Sequence, residues 1–323
     1  MAARPKVYVS RYFPGDGLDL LKQHAEIIQH ADTVAPMAED FEAGLAQADA
    51  AILYGDSLTE DRIAKAPKLK IVADQQGGRG VDKEALKGRG IVLSVPSLGY
   101  DWIIPSEAEH AMALLLSVTR RIPEANAFVK SGKWVQGEQS VRDLMGNGLN
   151  GKTVGIVNGS RRAGADLVRR LQGWNVKILH ADATPNEEMQ KAGAEYVPLD
   201  RLVAEADFIV LLHGDFTRAE PYIGAREIAL MKPTAYFVSI TVGKAADEKA
   251  LAEALRQKRL AGIGLDKLQT LGKPGADLID QPNAILTPHA DGSLEVERSA
   301  LFRQMVEDVI AVLGGGKANH AVS

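Results

Sequence analysis

The fold is indicated by one stretch, GKTVGIVNGSRRAG, which occupies residues 151–164. An apolar run, TVGIV, leads into a loop with glycine at both ends, and the following segment, ADLVRRLQGW, has helical spacing. A second apolar run, VKILHA, comes after the helical segment. This order predicts a strand, a tight turn, a helix and a strand, the arrangement with which many proteins bind the phosphates of a dinucleotide.

The loop departs from the usual G-x-G-x-x-G pattern because the middle glycine is missing. Gly159 suits a tight turn and Gly164 suits close packing of helix on strand, whereas Arg161 stands where the backbone normally approaches a pyrophosphate. We therefore expect Ser160, Arg161 and Arg162 near the phosphates, with the guanidinium groups and the helix N-terminus binding the anion.

A carboxylate follows at the expected distance from this loop. Asp182 ends the next predicted strand, about twenty residues on, where an acid hydrogen-bonds a ribose diol. Such a carboxylate repels a 2′-phosphate, so the position favours NAD over NADP. The alternative is that Gly159 serves only as a turn and Asp182 only as a helix cap.

Short apolar runs alternate with helical patterns in two series, at about residues 5–103 and 150–290. Residues 18–28, for example, have helical spacing. The alternation predicts parallel sheets covered by helices on both faces. The expected fold class is α/β, with two doubly wound, Rossmann-like domains and a cleft between them.

Two further helices define the expected domain boundaries. Residues 106–134 read as one long apolar helix between the two series, and residues 294–314 as a final helix that returns to the first domain. The first domain is thus expected to be discontinuous. The predicted domains are residues 1–103 plus 293–323, and residues 104–292 including the linking helix.

Composition excludes several classes of function. The chain has 323 residues, a net charge of -4 and no cysteine, which argues against nucleic-acid binding and excludes disulfides and thiolate metal sites. No segment reaches about 18 uninterrupted apolar residues, so no membrane span is expected. The seven histidines show no metal-binding spacing. A cytoplasmic protein without a metal site is the expectation.

Longer motifs resemble one family over nearly the whole chain. ADFIVLLHGDFT, LMKPTAYFVSITVGKAADEKAL, LAGIGLD and NAILTPHADGS follow the glycine loop in fixed order, and AEHAMALLLSVTRRI precedes it. Together they resemble the NAD-dependent D-isomer-specific 2-hydroxyacid dehydrogenases, the group that includes formate, phosphite and glycerate dehydrogenases. The resemblance implies NAD as cofactor, a small-molecule substrate bound by the first domain, and a homodimer formed through the nucleotide domain and the helix after Ser106.

The family's catalytic set is a histidine that moves the proton, a glutamate that hydrogen-bonds it, and an arginine that clamps the substrate carboxylate. The resemblance assigns the histidine to His289, with a capped loop histidine as the alternative. The arginine's place holds Val242, although Lys244 is near. Asp291 is a local substitute for the glutamate but is expected to be a solvated turn residue. Gln269, Thr270 and Leu271 stand where the glutamate should lie.

The resemblance also implies a set of cofactor contacts. Asp266 matches the residue that holds the nicotinamide carboxamide in the family. The expected cofactor-binding residues are Gly159, Ser160, Arg161, Arg162, Asp182, His213, Thr217, Thr241, Val242 and Asp266.

Two segments are expected to contact the substrate. The loop ADQQGGRGVD, residues 73–82, offers amide and guanidinium side chains and glycine backbone, and SLGYDWIIPSEAE is longer than the family norm. An ordinary surface loop and a packed loop are the respective alternatives. The expected substrate-binding residues are Gln76, Gly77, Gly78, Arg79, Tyr100 and Trp102, with Gln75 beside them.

Three functions compete at this point. The first is an NAD-dependent oxidoreductase acting on a CH–OH or carbonyl substrate that is not a simple 2-oxo acid, because valine cannot hold a carboxylate. The second is an NAD-binding lyase or isomerase without net redox change. The third is a non-catalytic, dehydrogenase-like binding protein. The sequence leaves the substrate, the reaction direction and the replacements for the missing arginine and glutamate undetermined.

Overall fold

The computed structural model divides the chain into two compact units. Unit 1 comprises Met1–Gly99 and Leu294–Ser323, and unit 2 comprises Tyr100–Ser293. None of the helices described is long and apolar enough to cross a membrane. The structure describes residues 3–98, 102–134, 144–160, 163–213, 221–241, 245–268 and 276–322.

Unit 1 is built on a mostly parallel sheet. Its strands are β1 (Lys6–Val9), β2 (Glu26–Gln29), β3 (Ala50–Leu53), β4 (Ile71–Asp74), β5 (Val92–Ser94) and β13 (Ala321–Val322). Its helices are α1 (Gly17–His24), α2 (Ala38–Gln47), α3 (Glu60–Ala64), α4 (Lys83–Gly88) and α13 (Glu295–Leu313). The strand order is β13-β5-β4-β3-β1-β2, with only β13 antiparallel. The winding direction reverses between β1 and β3, which creates a crevice at their carboxyl ends.

Unit 2 is built on a wholly parallel sheet of order β12-β11-β10-β9-β6-β7-β8. Its strands are β6 (Thr153–Val157), β7 (Lys177–Ala181), β8 (Glu195–Tyr196), β9 (Phe208–Leu211), β10 (Tyr236–Ser239), β11 (Gly262–Leu265) and β12 (Ala284–Leu286). Its helices are α5 (Ile103–Thr119), α6 (Ile122–Lys130), α7 (Gly164–Leu171), α8 (Glu187–Lys191), α9 (Leu199–Glu205), α10 (Ala225–Leu230), α11 (Glu248–Arg256) and α12 (Ala276–Ile279). The winding reverses between β6 and β9.

Helices cover both faces of each sheet, so the central strands are apolar along their length. Every residue of β9 and β10 is buried, and the unit 2 core forms one cluster on each side of the sheet. The helix α5 lies close to β10 and β11 because the latter carries glycine. A Cβ at Gly264 would lie 3.4 Å from the Leu114 Cβ, and one at Gly262 would lie 2.8 Å from a Val118 methyl group. The apolar run in α5 thus packs on its own sheet.

The predicted fold class is confirmed, but two predicted helices are wrong in extent. The pattern at residues 18–28 is split, because α1 ends at His24 and Glu26–Gln29 pairs with β1 as the edge strand β2. Residues 106–134 form two helices rather than one. Arg121 adopts a left-handed φ of 55° between them, and Pro123, which lacks an N–H, lies in the first turn of α6.

Candidate active site

The glycine loop closes tightly on the start of α7. The Gly164 N–H donates to the Gly159 carbonyl at 3.1 Å. A Cβ at Gly164 would lie 2.5 Å from that carbonyl oxygen, which is closer than real contacts permit. Both glycines are therefore required for the turn, although the middle glycine of the usual pattern is missing.

The first turn of α7 has no side-chain cap for its backbone N–H groups, and it carries the acidic Asp166, which pairs with Arg170. Ala163, at the N-cap, has no side chain that can cap the first N–H groups of this eight-residue helix. Such groups satisfy an anion's oxygens and carry the positive end of the helix dipole. Arg161 and Arg162, expected beside the phosphates, lie outside the described residues.

Asp182 faces the glycine loop from the end of β7. One carboxylate oxygen accepts a hydrogen bond from the Ser160 N–H at 3.0 Å, and the other lies 3.2 Å from the His180 Nδ1. His180 is fully buried and packs against the Tyr196 ring. The structure thus brings together Ser160 and Asp182, two of the residues expected at the cofactor, and fixes the carboxylate beside the loop.

Two further expected cofactor positions lie at the carboxyl ends of the neighbouring strands. The His213 carbonyl accepts from the Asn158 side chain at 3.0 Å, which ties the end of β9 to the glycine loop. Thr241, just after β10, is 4% exposed, and its hydroxyl has no hydrogen-bond partner among the described residues. Thr217 and Val242 lie outside those residues. A tight loop, an uncapped helix start and an unsatisfied buried hydroxyl on one sheet edge fit a bound dinucleotide.

Asp266, directly after β11, organises the loop that follows β12. Its Oδ1 accepts from the Thr287 hydroxyl at 2.6 Å and from the Ala290 N–H at 2.7 Å, and it lies 3.1 Å from the His110 Nε2. Its Oδ2 accepts from the Asp291 N–H at 3.2 Å. Burial opposes ionisation, but the donors from His110, Thr287 and Ala290 outweigh it and lower the pKa of Asp266 to about 2.

This arrangement gives Asp266 a structural role, beside which its contact with the nicotinamide stays a prediction. Its side chain is 0% exposed, and both carboxylate oxygens serve the turn that carries His289. The His289 N–H also donates to the Asp266 backbone carbonyl at 2.7 Å. The residue therefore shapes the histidine turn, whereas the resemblance implies a direct contact with the nicotinamide carboxamide.

His289 is held in a defined position in that turn. Its φ is 59°, in the left-handed region that non-glycine residues seldom occupy, and its side chain is 50% exposed. Its Nε2 lies 3.5 Å from the Asp291 Oδ1. An exposed imidazole on a turn fixed by buried hydrogen bonds is suited to exchange a proton with a ligand.

The expectation that Asp291 is a solvated turn residue is wrong. Asp291 is 2% exposed, and its Oδ2 lies 2.5 Å from the Nζ of Lys267, which is itself largely buried. The Ser106 hydroxyl donates to the Asp291 backbone carbonyl. The signal in the sequence was position, since Asp291 lies two residues after His289. Gln269, Thr270, Leu271 and Lys244 lie outside the described residues.

In unit 1, Asp74 plays a similar organising role at the end of β4. Its carboxylate accepts from the N–H groups of Gly55, Gln76 and Gly78 at 2.6, 3.1 and 2.7 Å. Burial raises the pKa of Asp74, against the lowering effect of these three donors, and nearby Asp56 adds to the rise. The loop is thereby held in a fixed shape.

That loop contains most of the expected substrate contacts. Gly77 and Gly78 have φ of 78° and 68°, which explains why glycine occupies both positions. The Gly78 N–H was expected to face a ligand, but it donates to Asp74. Arg79 is exposed and Gln76 half-buried. The Gln75 amide oxygen is buried without a hydrogen-bond partner among the described residues.

A cationic cluster in unit 1 was not predicted. The guanidinium carbons of Arg11 and Arg298 each lie 5.1 Å from the centroid of the Tyr54 ring. Arg11 is also paired with the buried Asp56, and Arg298 donates to the Tyr54 hydroxyl. The available signal was position: Arg11 lies two residues after β1 and Tyr54 directly after β3, the strands between which the winding reverses.

Trp102 precedes α5 and approaches the histidine turn within unit 2. A Cβ at Gly292 would lie 3.8 Å from the Trp102 ring and 3.0 Å from an Ile103 methyl group. The absence of that Cβ gives room to the Ile103 side chain, whereas the Trp102 ring lies at ordinary contact distance from the turn. Tyr100, expected beside it, lies outside the described residues. Among the residues that the structure describes, no group of three metal-ligating side chains occurs.

Comparison with known proteins identifies the family. Residues 112–290 match the sequence model of the D-isomer specific 2-hydroxyacid dehydrogenase, NAD binding domain. The chain is 36% identical to a glyoxylate reductase of Thermococcus litoralis, over 97% of this chain and 95% of that protein. It is 36% identical to one of Korarchaeum cryptofilum, over 97% and 94%. The chain belongs to the D-isomer-specific 2-hydroxyacid dehydrogenase family.

Solved structures agree in fold. A Thermus thermophilus protein superposes with a TM-score of 0.81 at 28% identity, covering 98% of this chain and 100% of that one. An NADPH-dependent glyoxylate/hydroxypyruvate reductase of Sinorhizobium meliloti superposes with a TM-score of 0.73 at 26% identity, covering 99% and 98%. The protein is thus an NAD-dependent oxidoreductase of the 2-hydroxyacid dehydrogenase type. The lyase or isomerase and the non-catalytic alternatives are not favoured.

Proposed function

We propose that this protein interconverts a carbonyl compound and its hydroxy form, and that His289 is the proton-transferring residue. The observation that supports this most directly is the turn built on Asp266, which buries its own carboxylate and leaves the imidazole half-exposed. NAD(H), when bound, supplies or accepts the hydride. In the reductive direction His289 donates a proton to the carbonyl oxygen, and in the oxidative direction it accepts one from the hydroxyl.

The cofactor contacts are proposed along the carboxyl edge of the unit 2 sheet. The N–H groups at the start of α7 bind the pyrophosphate together with Arg161 and Arg162. The Asp182 carboxylate accepts from the adenine-side ribose diol and disfavours a 2′-phosphate, which makes NAD the preferred nucleotide. The Thr241 hydroxyl, which lacks a partner among the described residues, is proposed to bind the nicotinamide half.

The substrate is proposed to be something other than a simple 2-oxo acid. Val242 stands where the family clamps a carboxylate, and an apolar side chain makes no charge-assisted bond to it. Gln76, Arg79 and Trp102 are proposed substrate contacts, with unit 1 as the substrate domain. A carbonyl compound with an apolar or hydroxylated group beside the reacting carbon fits these residues.

A second candidate is the reduction of glyoxylate, the activity named for the relatives that share 36% identity with this chain. The cluster of Arg11, Arg298 and Tyr54 supports it, since the Arg298 guanidinium beside the Tyr54 ring offers another place for a carboxylate, while Arg11 is paired with Asp56. In this candidate the cluster in unit 1 binds the substrate carboxylate.

The two candidates are separated by kcat/KM with NADH for glyoxylate and for glycolaldehyde, its aldehyde counterpart without the carboxylate. The first candidate predicts a preference for glycolaldehyde, reversed in Val242→Arg. The second predicts a preference for glyoxylate that Arg298→Met reduces roughly tenfold or more, with glycolaldehyde little changed.

His289→Asn is expected to abolish turnover of the better substrate, with the exposed His24→Asn as control. Full activity in His289→Asn would refute the proposed role.

We also propose a cytoplasmic homodimer, because the cofactor is an intracellular nucleotide and the family resemblance implies a dimer through α5 and the nucleotide domain. Sedimentation equilibrium measures the assembly. A single species of 34.7 kDa at micromolar concentration would contradict the dimer.

A further inference from the structure

Beside His289 lies a buried ion pair that the proposed reaction does not yet use. The Lys267 and Asp291 side chains are 10% and 3% exposed, and their charged atoms lie 2.5 Å apart. The second carboxylate oxygen, Oδ1, lies 3.5 Å from the His289 Nε2. One carboxylate thus links a buried cation to the exposed imidazole.

Stability alone does not account for this pair. Removing two charges from water costs free energy that their attraction seldom more than offsets, so buried pairs are weak evidence of stabilisation. The carboxylate is also held at both ends of its backbone. The Asp291 N–H donates to Asp266 and its carbonyl accepts from Ser106. Groups fixed to this degree beside a reactive imidazole are characteristic of residues that orient it.

We propose that Asp291, held by Lys267, is the positioning residue of His289 and takes the place of the glutamate that this sequence lacks. The inference rests on the proposed function, because it assumes that His289 transfers the proton. Asp291 orients the ring and stabilises the imidazolium. Lys267 offsets part of the negative charge of Asp291, so that the imidazolium can still release its proton to the substrate. Other charged or titratable groups of unit 2 at this turn are Asp266 and His110.

The proton balance is simple. In reduction, the imidazolium of His289 gives one proton to the substrate oxygen as the hydride reaches the carbon, and the neutral ring then takes a proton from solvent. The bond that breaks is Nδ1–H, because Asp291 faces Nε2, and the bond that forms is O–H. No proton is passed along the pair of Asp291 and Lys267.

The test compares Asp291→Asn with Lys267→Met in the full-length protein. In Asp291→Asn we expect kcat to fall roughly tenfold or more, NADH affinity to change little, and the limb of the pH profile of kcat/KM assigned to His289 to move to lower pH by about one unit. Lys267→Met leaves an unbalanced carboxylate beside the ring, so the same limb is expected to move to higher pH. Opposite shifts are not expected of a purely structural pair.

Asp308→Asn is the matched control, because Asp308 is a fully buried carboxylate 2.9 Å from the His320 Nδ1 in unit 1. It is expected to lower stability and leave the pH profile unchanged. If Asp291→Asn does not fold, the upward shift in Lys267→Met alone decides. Unchanged profiles in the folded variants would overturn the inference.

A second readout does not depend on activity. The His289 ring is titrated by NMR in the wild-type protein and both variants, with His289→Asn used to assign the resonance. Opposite displacements of the His289 titration in the two variants support the inference. An unchanged titration in both variants refutes it. If His289→Asn retains full activity, the proposed function fails, whereas loss of activity there with unaltered Asp291→Asn kinetics refutes only the inference about Asp291.

Discussion

Asp74 in unit 1 and Asp266 in unit 2 stand in equivalent places. Each ends or directly follows a buried parallel strand, and each is at most 1% exposed. Each also accepts backbone N–H groups from a loop, Asp74 from the loop after β4 and Asp266 from the loop after β12. Their pKa values nevertheless move in opposite directions. Burial raises the pKa of Asp74, whereas donors to Asp266 overcome burial and lower its pKa to about 2.

The difference lies in the side chains that surround each carboxylate. Among the described residues, Asp74 receives hydrogen bonds from backbone N–H groups only. The carboxylate of Asp56 is nearby and adds to the rise in pKa. Asp266 receives the Thr287 hydroxyl and the imidazole of His110 in addition to backbone groups. Side-chain donors, one of them able to carry a charge, thus decide whether a buried acid is strongly ionised. The carboxylate that holds the loop in unit 2 therefore has the lower pKa of the two and is the more readily ionised.

The largest effect is expected for Asp266→Asn. The amide turns a donor toward N–H groups that need an acceptor, and it leaves His110 without its carboxylate, which costs about 4 kcal/mol of unfolding free energy. Reductase activity is expected to fall with it, because the His289 turn loses its anchor. Urea denaturation and steady-state kinetics measure the two effects. A loss of unfolding free energy under about 1 kcal/mol would contradict the conclusion that Asp266 is the more strongly stabilising of the two carboxylates.

Asp74→Asn is expected to cost less, about 2 kcal/mol, because the ionised form it removes is already disfavoured by burial. NADH affinity should be retained, since the loop it supports lies in unit 1. Urea denaturation and fluorescence titration with NADH test this. A larger loss of stability than in Asp266→Asn would reverse the proposed ranking of the two anchors.

Stability at acid pH should also distinguish Asp266 from Asp74. An Asp with its folded pKa lowered to about 2 binds protons more weakly when folded, so its contribution of about 2 kcal/mol is present above pH 4 and disappears between about pH 4 and pH 2. Asp74 has the opposite effect, because its pKa is raised in the folded state. Its contribution to the free energy of unfolding therefore decreases as the pH rises. The pH dependence of unfolding in wild type minus that in Asp266→Asn isolates the first contribution. A difference that is flat below pH 4 would contradict it.

The smallest effect is expected for His110→Gln, which keeps a donor near Asp266 but removes the one able to carry a charge. A loss of about 1 kcal/mol is expected, together with a higher pKa of Asp266. Carbonyl-carbon NMR of the carboxylate follows that titration directly. An unchanged midpoint would show that His110 is not the side chain that distinguishes Asp266 from Asp74.

Most of the fold was predictable because its signal is local. Apolar runs such as TVGIV and FIVL are buried on both faces of a parallel sheet, and they read as strands without any knowledge of their neighbours. The strand β2, EIIQ, was not predicted, because it is a short edge strand whose polar ends continue the helical spacing of α1. The break between α5 and α6 was likewise hidden, since it depends on one left-handed residue, Arg121.

The candidate site was predictable only in part. Gly159, Gly164 and Asp182 follow from spacing, because the turn, the helix start and the next strand end are close along the chain. The cluster of Arg11, Tyr54 and Arg298 joins residues that are up to 287 positions apart and carry no shared motif. Only the sheet topology brings these side chains together.

By itself, the sequence determined the α/β class, the dinucleotide loop, the family and the candidate proton-transfer residue, because each depends on residue types at short, regular spacing. The tertiary structure alone decided what the buried acids do. Asp291 is solvated or buried according to whether Lys267 reaches it, and Asp266 serves the His289 turn because His110 and Thr287 converge on it. A carboxylate's ionisation and partners depend on the groups that folding places around it, and these come from distant parts of the chain.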